Sequence, residues 1–240
     1  MLNGHIGVRT ISELALFWDF DGTLIYGEET FFGALSSALQ KNNYQIPNEA
    51  IRETLKKGCT WNTPEVSYIE AVGTKWWECL FSHFSALYKK FGVSYEKHDE
   101  INLEFKKTIL DPAAYTVYND ALAVLKKCGE MGFDNYVLSN NFPELSVISE
   151  QLGIGAYIKE YIVSSNVGYE KPRAEIFEYA RRAANYPEVC YMIGDNPMAD
   201  IEGGSSAGMT TVLVHALGDY TADYRCDTLS EIPDILKRRV

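Results

Sequence analysis

Two acidic residues, Asp19 and Asp21, with one residue between them, come directly after the apolar run at residues 15–18. An apolar run that ends near a glycine, here Gly22, is typical of a buried strand in a parallel sheet. Because side chains alternate along a strand, both carboxylates would leave it on the same face. Two like charges at that spacing are unfavourable unless a cation or a chemical task compensates them. The pair is therefore a candidate nucleophile and acid/base couple beside a metal ion.

Further polar residues follow other strand-like runs later in the chain. Ser139 and Asn140 come directly after one run, and Lys171 lies shortly after the next. Asp195 follows a third run, with Asp200 close behind it. The carboxyl ends of parallel strands meet at one edge of a sheet, where open parallel sheets bind their ligands. We therefore expect all of these side chains to lie near the first acidic pair.

Together these residue types suit phosphoryl transfer. A phosphate monoester is a dianion, so a carboxylate approaches it only after charge neutralisation. We expect Asp19 and Asp195 to hold a Mg²⁺ ion, because ligand sets made only of oxygen favour it. Lys171 would add a positive charge, and the Ser139 hydroxyl would bind phosphoryl oxygens. Asp19 would attack phosphorus to form an aspartyl-phosphate, while Asp21 would protonate the leaving alcohol and later deprotonate water.

The elements that must position these residues alternate between strand and helix patterns. Segments with helical spacing separate the later strand-like runs, for example the apolar stripe formed by Ile176, Phe177 and Ala180. This alternation predicts an α/β fold in which helices cover both faces of a parallel sheet. The runs predicted as strands are residues 15–18, 135–138, 161–164, 189–193 and 210–214.

A block without strand signals interrupts the alternation between about Thr30 and Thr108. Its longer helical regions are predicted at residues 65–91 and 96–109, so it is interpreted as an all-helical insertion after the first strand. Aromatic residues at helical spacing are usually core, although some could line a pocket: Trp61, Tyr68, Trp76, Trp77, Phe81 and Phe84. Four basic side chains in this block are most simply interpreted as exposed to solvent, although they could contact a carboxylate or sugar of a substrate: Arg52, Lys56, Lys57 and Lys75.

The motifs, taken in order, resemble those of the haloacid dehalogenase (HAD) superfamily. The similarity is to phosphatase-type members with a helical cap of the C1 type, such as phosphoglycolate phosphatases. Any one motif alone would be weak, but four in the family's order are specific. The residues that carry the resemblance are Asp19-Phe20-Asp21-Gly22-Thr23, Ser139-Asn140, Lys171-Pro172 and Gly194-Asp195-Asn196-Pro197-Met198-Ala199-Asp200.

The resemblance implies a three-layer Rossmann-like core, residues 1–27 and 109–240, with a helical cap domain at residues 28–108. It implies that Asp19 is the nucleophile and that Asp21 is the general acid/base. The backbone carbonyl of Asp21 would ligate Mg²⁺ beside the carboxylates of Asp19 and Asp195.

In the same family pattern, Ser139, Asn140 and Lys171 bind the phosphoryl group. Asp200 would orient Lys171 or the metal ligands without itself contacting the phosphoryl group or the metal. One position departs from the pattern, because Ala199 stands where family members often carry a polar residue.

Three other functions compete with a phosphatase. A phosphomutase of this fold tends to carry a histidine or lysine shortly after the first motif, where this chain has Ile25-Tyr26-Gly27. A dehalogenase, by resemblance, lacks the second acid, because halide leaves without a proton; here Asp21 is present. A retired enzyme acting as a binding protein would usually have lost motif residues, whereas this chain retains the main ones. A phosphatase acting on a small phosphorylated metabolite is the function we expect.

Composition narrows the class of partner. The chain has 240 residues, of which 46% are hydrophobic and 23% charged, an ordinary globular balance. Its net charge of −11 disfavours nucleic acid as a partner. The five cysteines show no CxxC spacing and are interpreted as reduced thiols. We expect a cytoplasmic protein without membrane association, as a monomer or homodimer.

Overall fold

The computed structural model describes residues 13–27, 30–215, 218 and 220–237. Its central element is a six-stranded parallel sheet, in the order β5-β4-β1-β6-β7-β8. The strands in chain order are β1 (Leu14–Trp18), β2 (Ile25–Tyr26), β3 (Thr116–Val117), β4 (Asp134–Ser139), β5 (Glu160–Val163), β6 (Val189–Gly194), β7 (Thr210–Val214) and β8 (Tyr224–Cys226). The five predicted strands are confirmed, and so is the predicted fold class.

The edge strand β8 is the part of this sheet that the sequence pattern does not predict. It is only three residues long and carries Arg225 at its centre. The side chain of Asp223 fixes the start of β8, because its Oδ2 accepts from the Thr211 backbone N–H at 2.8 Å and from the Thr211 hydroxyl at 3.0 Å. Long-range contacts of this kind leave no periodic signal in the sequence.

Helices cover both faces of the sheet, as the alternation of strands and helices predicts. Side chains of β1 alternate between two core clusters, with Ala15 and Phe17 in one and Leu16 and Trp18 in the other. The ten helices in the described residues are α1 (Thr30–Lys41), α2 (Asn48–Gly58), α3 (Thr74–Lys90), α4 (His98–Ile109), α5 (Ala121–Glu130), α6 (Leu145–Gln151), α7 (Ser164–Val167), α8 (Ala174–Ala183), α9 (Gly203–Ser206) and α10 (Ile232–Leu236). None of them combines the length and apolar character that a membrane crossing requires.

The four helices α1 to α4 form the helical insertion, and α1 packs on α4 while α2 packs on α3. The chain leaves the core after β2 and returns through β3, and these two strands pair in antiparallel register. Phe105 lies at the centre of the insertion, with ring centroids 5.0 Å from Phe84 and 5.6 Å from Phe31. The predicted domain boundary at residue 28 lies outside the described residues, and the division into two domains stays a prediction.

One predicted helix of the insertion is shorter than expected. The region at residues 65–91 becomes helix only from Thr74, and the stretch before it contains a single 3₁₀ turn, Ile69–Ala71. Two backbone bonds hold this stretch against the core: the Tyr68 N–H donates to Gly168 O at 3.0 Å, and the Gly73 N–H donates to Ser165 O at 2.8 Å. Docking against the core therefore overrides the helical spacing of the sequence.

The buried polar side chain of Asn135, on β4, links β1 to helix α5. Its Oδ1 accepts from the Trp18 indole N–H at 3.0 Å. Its Nδ2 donates to the carbonyls of Leu125 at 3.0 Å and Tyr157 at 3.3 Å. Trp18 is the last residue of β1, so this contact fixes the strand immediately before Asp19.

We expect Asn135→Ala to lower the free energy of unfolding by about 2–4 kcal/mol, because it leaves the buried Trp18 indole N–H without an acceptor and removes a donor from two carbonyls. Urea unfolding followed by tryptophan fluorescence measures the change. Asn119→Ala is the matched control, since Asn119 is exposed and its truncation should change stability by less than about 0.5 kcal/mol. Equal effects of the two substitutions would contradict the role of Asn135.

Candidate active site

One cavity of about 470 Å³ lies at the carboxyl edge of the sheet, between the core and the helical insertion. The structure brings six of the seven predicted site residues to its wall, and the exception is Asp200, which lies behind Lys171. The predicted residues that line it are Asp19, Asp21, Ser139, Asn140, Lys171 and Asp195.

The buried ammonium group of Lys171 joins the separate strand ends. Its Nζ lies 2.9 Å from Asp19 Oδ1 and 2.6 Å from Asp200 Oδ1, and it donates to the Leu138 carbonyl at 2.8 Å. Burial by itself would lower the pKa of Lys171, but the two carboxylates outweigh it and hold the pKa above its ordinary value. The group is therefore a permanent cation whose three hydrogens are already donated.

Asp200 reaches Lys171 from a wide helical turn. The π-helical segment Pro197–Glu202 follows β6, and the Asn196 side chain caps its start by accepting from the N–H groups of Met198 and Ala199. Asp200 is fully buried, and its second oxygen accepts from the Asn196 N–H at 3.0 Å. Its carboxylate is thus oriented from both sides towards Lys171.

A tight turn after β1 carries the acidic pair. Phe20 O accepts from the N–H groups of Leu24 and Ile25, which closes the turn around Gly22. Gly22 has a φ of +78°, and a Cβ at this position would lie 2.3 Å from an oxygen of Asp195. The turn therefore requires glycine for two reasons, its backbone conformation and the close approach of the third carboxylate.

Two asparagines after β4 hold the reactive groups in place. The Asn140 side chain makes two bonds to the backbone of Lys171, accepting from its N–H at 2.7 Å and donating to its carbonyl at 3.0 Å. Asn140 was expected to bind phosphate, but its side chain is engaged, so such a contact falls to its backbone N–H. Asn141, which the sequence analysis did not single out, donates from Nδ2 to Asp21 and accepts from the Phe142 N–H.

Negative charge is concentrated in this site. Burial and then the charge of Asp19 raise the pKa of Asp195 to about 7. Burial raises the pKa of Asp200 to about 7 although Lys171 opposes the change. Desolvation and then the charge of Asp19 raise the pKa of Asp21 to about 7, although the hydrogen bond from Asn141 and the charge of Lys171 oppose the change.

The donor set fits a hard divalent cation. Carboxylate oxygens of Asp19, Asp195 and Asp200 lie within 4.8 Å of one another. With Asp21 included, four carboxylates face one ammonium group, and all of the donors are oxygen. Such a set matches the oxygen ligands and the charge that Mg²⁺ requires.

A second buried acid, Glu170, connects the site to the helical insertion, and the sequence analysis missed it. Its Oε1 accepts from the Thr60 hydroxyl and from the Tyr68 hydroxyl, both of which belong to the insertion. Burial raises the pKa of Glu170, and these two hydroxyls act in the opposite direction. The only signal in the sequence was the position of Glu170 directly before Lys171.

The insertion supplies the other wall of the cavity: Thr30, Phe31, Trp61, Asn62 and Pro64. The cations Arg52, Lys56, Lys57 and Lys75, considered from sequence as substrate contacts, are absent from the described lining. Arg52 lies over the Phe32 ring instead, 4.0 Å from its centroid, and Lys57 borders a separate cleft.

Comparison with known proteins identifies the family. A model of the haloacid dehalogenase-like hydrolase family matches residues 14–208, which include every residue of the site described above. The chain therefore belongs to this family of hydrolases, as the order of its motifs indicates.

Individual relatives agree with this assignment. The chain is 27% identical over 192 residues to glyceraldehyde 3-phosphate phosphatase of Methanopyrus kandleri, covering 67% of this chain and 80% of that protein. It resembles the HAD-hydrolase YfnB of Bacillus subtilis, solved bound to magnesium, with a TM-score of 0.74, 21% identity and coverage of 93% and 98%. It also resembles a 2-haloacid dehalogenase of Pseudomonas syringae, with a TM-score of 0.72, 18% identity and coverage of 95% and 99%.

We expect Gly22→Ala to destabilise the protein more than Gly153→Ala does. Both glycines have a φ of +78°, so alanine should cost about 1–2 kcal/mol at either position. An added Cβ at Gly153 meets nothing within 4 Å, whereas at Gly22 it collides with Asp195. Urea unfolding should therefore show an additional loss of about 1–3 kcal/mol for Gly22→Ala. Equal losses would contradict the close approach of Asp195.

Proposed function

We propose that this chain is a Mg²⁺-dependent phosphatase that hydrolyses a small-molecule phosphomonoester through an aspartyl-phosphate intermediate. The observation that carries the proposal is the convergence of Asp19, Asp21, Asp195 and Lys171 on one cavity. The names of relatives support the class of substrate, since one is a glyceraldehyde 3-phosphate phosphatase. The magnesium in the YfnB structure supports the choice of metal.

Asp19 and Asp195, with the backbone carbonyl of Asp21, would hold the Mg²⁺ ion. Asp200 is the third member of the oxygen cluster, but it is fully buried and paired with Lys171, so we assign it to orienting that lysine. When bound, the ion would offset the negative charge of the phosphoryl group and allow a carboxylate to approach it.

The first step is attack by an Asp19 oxygen on phosphorus, which forms the Asp19–phosphorus bond and breaks the ester P–O bond. Asp21 gives a proton to the departing alkoxide. Asn141 orients Asp21 for this transfer through its hydrogen bond to the carboxylate. Ser139 and the backbone N–H of Asn140 would bind the non-reacting oxygens, and Lys171, whose hydrogens are already donated, would act on them through its charge.

In the second step water is the nucleophile, Asp19 is the leaving group, and Asp21 acts as a base. Asp21, now deprotonated, takes a proton from a water molecule that attacks the phosphorus atom of the aspartyl-phosphate. The Asp19–phosphorus bond breaks, which releases inorganic phosphate and restores both carboxyl groups to their starting states. One pair of acids thus completes the cycle without any other proton carrier.

The helical insertion would act as the cap of this site. We propose that residues 28–108 form a cap domain on a core of residues 1–27 and 109–240. The paired strands β2 and β3 support this division, because they lie where the chain leaves and re-enters the core. A cap excludes water from the first step and contacts the leaving group.

We expect Asp19→Asn to reduce phosphate release from p-nitrophenyl phosphate by on the order of 10⁴-fold or more, because it removes the nucleophile. Steady-state assays with Mg²⁺, and with the cation removed by EDTA, measure the effect. Asp99→Asn is the matched control, because Asp99 is exposed at the start of α4. Retained activity in Asp19→Asn, or full activity after chelation, would refute the proposal.

We expect Asp21→Asn to release a burst of p-nitrophenolate equal to the enzyme concentration and then to stop. p-Nitrophenolate leaves without protonation, so the first step survives, but nothing deprotonates the attacking water in the second step. Rapid-quench measurement of the burst, with mass spectrometry of the phosphorylated Asp19 peptide, tests this. Steady turnover without a burst would contradict the assignment of Asp21.

A further inference from the structure

The wall of the cavity opposite the acidic residues is aromatic and apolar. It contains two half-buried rings from the insertion, Phe31 and Trp61, and two buried rings from the core, Tyr115 and Phe142. The Tyr115 hydroxyl is already used, since it donates to the Ile109 carbonyl at 2.7 Å. This wall therefore offers ring faces more than hydrogen-bonding groups.

No positive charge remains for a second anionic group on a substrate. Among the described residues that line the cavity, Lys171 is the one cation, and its ammonium group already donates to Asp19, Asp200 and Leu138. A carboxylate or second phosphate on the leaving group would face the aspartates with no cation to compensate it. The cost of placing an unpaired charge there disfavours such substrates.

Contacts with neighbouring residues hold the turn that carries the half-buried Trp61 ring. Trp61 belongs to the 3₁₀ turn Thr60–Asn62, and the Thr60 hydroxyl is bonded to buried Glu170. The Trp61 ring lies 5.1 Å from the Phe31 ring edge-to-face and 6.0 Å from Trp76 in a stacked arrangement. A ring fixed on its other sides can stack on a ligand at little cost in conformational entropy.

We propose that this aromatic wall selects a leaving alcohol that is uncharged and bears a planar ring. Nucleoside monophosphates have this chemistry, and we take them as the substrate class. Stacking on Trp61 would hold the base, and the exposed amide of Asn62, which also lines the cavity, would supply a polar contact at the mouth. The inference rests on the proposed phosphatase activity and adds its substrate class.

A panel of phosphomonoesters with Mg²⁺ tests the substrate class. We expect kcat/KM to be highest for nucleoside monophosphates, lower for ribose 5-phosphate and glycerol phosphate, which lack a planar aromatic ring, and lowest for phosphoglycolate, which carries a carboxylate. A preference for phosphoglycolate, or equal rates with and without the ring, would overturn the inference. If no phosphomonoester is hydrolysed, the proposed function itself fails; hydrolysis with the wrong preference refutes the aromatic selection alone.

Trp61→Leu tests the wall directly. Loss of one stacking partner should reduce kcat/KM for nucleoside monophosphates by about 5- to 150-fold, and for ribose 5-phosphate much less. The matched control is Phe32→Leu, which truncates a half-buried ring of the insertion outside the described cavity lining. An equal loss on both substrates in Trp61→Leu would mean that Trp61 acts through the fold of the insertion, and it would refute stacking.

A gain of function provides the complementary test. Asn62→Arg places a cation at the cavity mouth, so kcat/KM for phosphoglycolate relative to glycerol phosphate should rise about tenfold or more. Asn62→Leu controls for loss of the amide without adding charge. An unchanged ratio in Asn62→Arg would show that missing positive charge is not what excludes carboxylated substrates.

Discussion

The pairing of one buried ammonium group with two carboxylates sets the geometry of this site. Lys171 lies on the loop between α7 and α8, beyond the end of β5, Asp19 follows β1, and Asp200 lies in the π-helical segment after β6. A lysine that is almost fully buried is unfavourable without partners, and here two carboxylates and the Leu138 carbonyl satisfy it. Three strand ends are thereby held at fixed separations. Removing either carboxylate would leave a buried charge only partly compensated, so these residues are constrained as a set.

The strand ends and their reactive residues could be predicted from sequence because they depend on local patterns. Apolar runs of three to five residues mark β1, β4, β6 and β7, and the parallel arrangement follows from the helices between them. The chemistry-bearing residues then fall at one edge by topology alone. For the same reason Asp19, Ser139 and Asp195 could be placed near one another before any distance was known.

The contacts between the core and the insertion could not be predicted in this way. Tyr68 lies in a stretch whose residue spacing predicts a helix. The stretch is not an α-helix in the structure, because its backbone N–H groups donate to the carbonyls of Gly168 and Ser165. Glu170 and Asn141 lie beside motif residues, and nothing in their spacing indicates that one reaches Thr60 and the other Asp21. Side-chain contacts across many residues of sequence depend on the completed fold. Such contacts determine how the site is closed and which groups face the leaving group.

The cavity divides its chemistry between two walls of different origin. The core supplies the acids and the lysine, while the insertion supplies Phe31, Trp61 and Asn62. In the proposed reaction, charge would lie where phosphorus reacts, and apolar surface would face the remainder of the substrate. The cavity-lining side chains of the insertion can change without disturbing the ion pairs of the core, as long as the Thr60 and Tyr68 hydroxyls that bind Glu170 are kept. A single fold can in this way serve different reactions.

Consecutive residues with opposite charges, Glu170 and Lys171, bond in different directions, one to the insertion and the other to the core. This adjacency limits how the two parts can be recombined. An insertion transplanted from a relative would place new side chains against Glu170, and without hydroxyls equivalent to those of Thr60 and Tyr68 it would bury that carboxylate unpaired. The resulting displacement would pass through one peptide bond to Lys171. Chimeric enzymes built on this core therefore need to carry residue 170 together with the insertion. The functional boundary between the two parts thus runs through the loop that contains Glu170, and not only through the ends of the inserted segment.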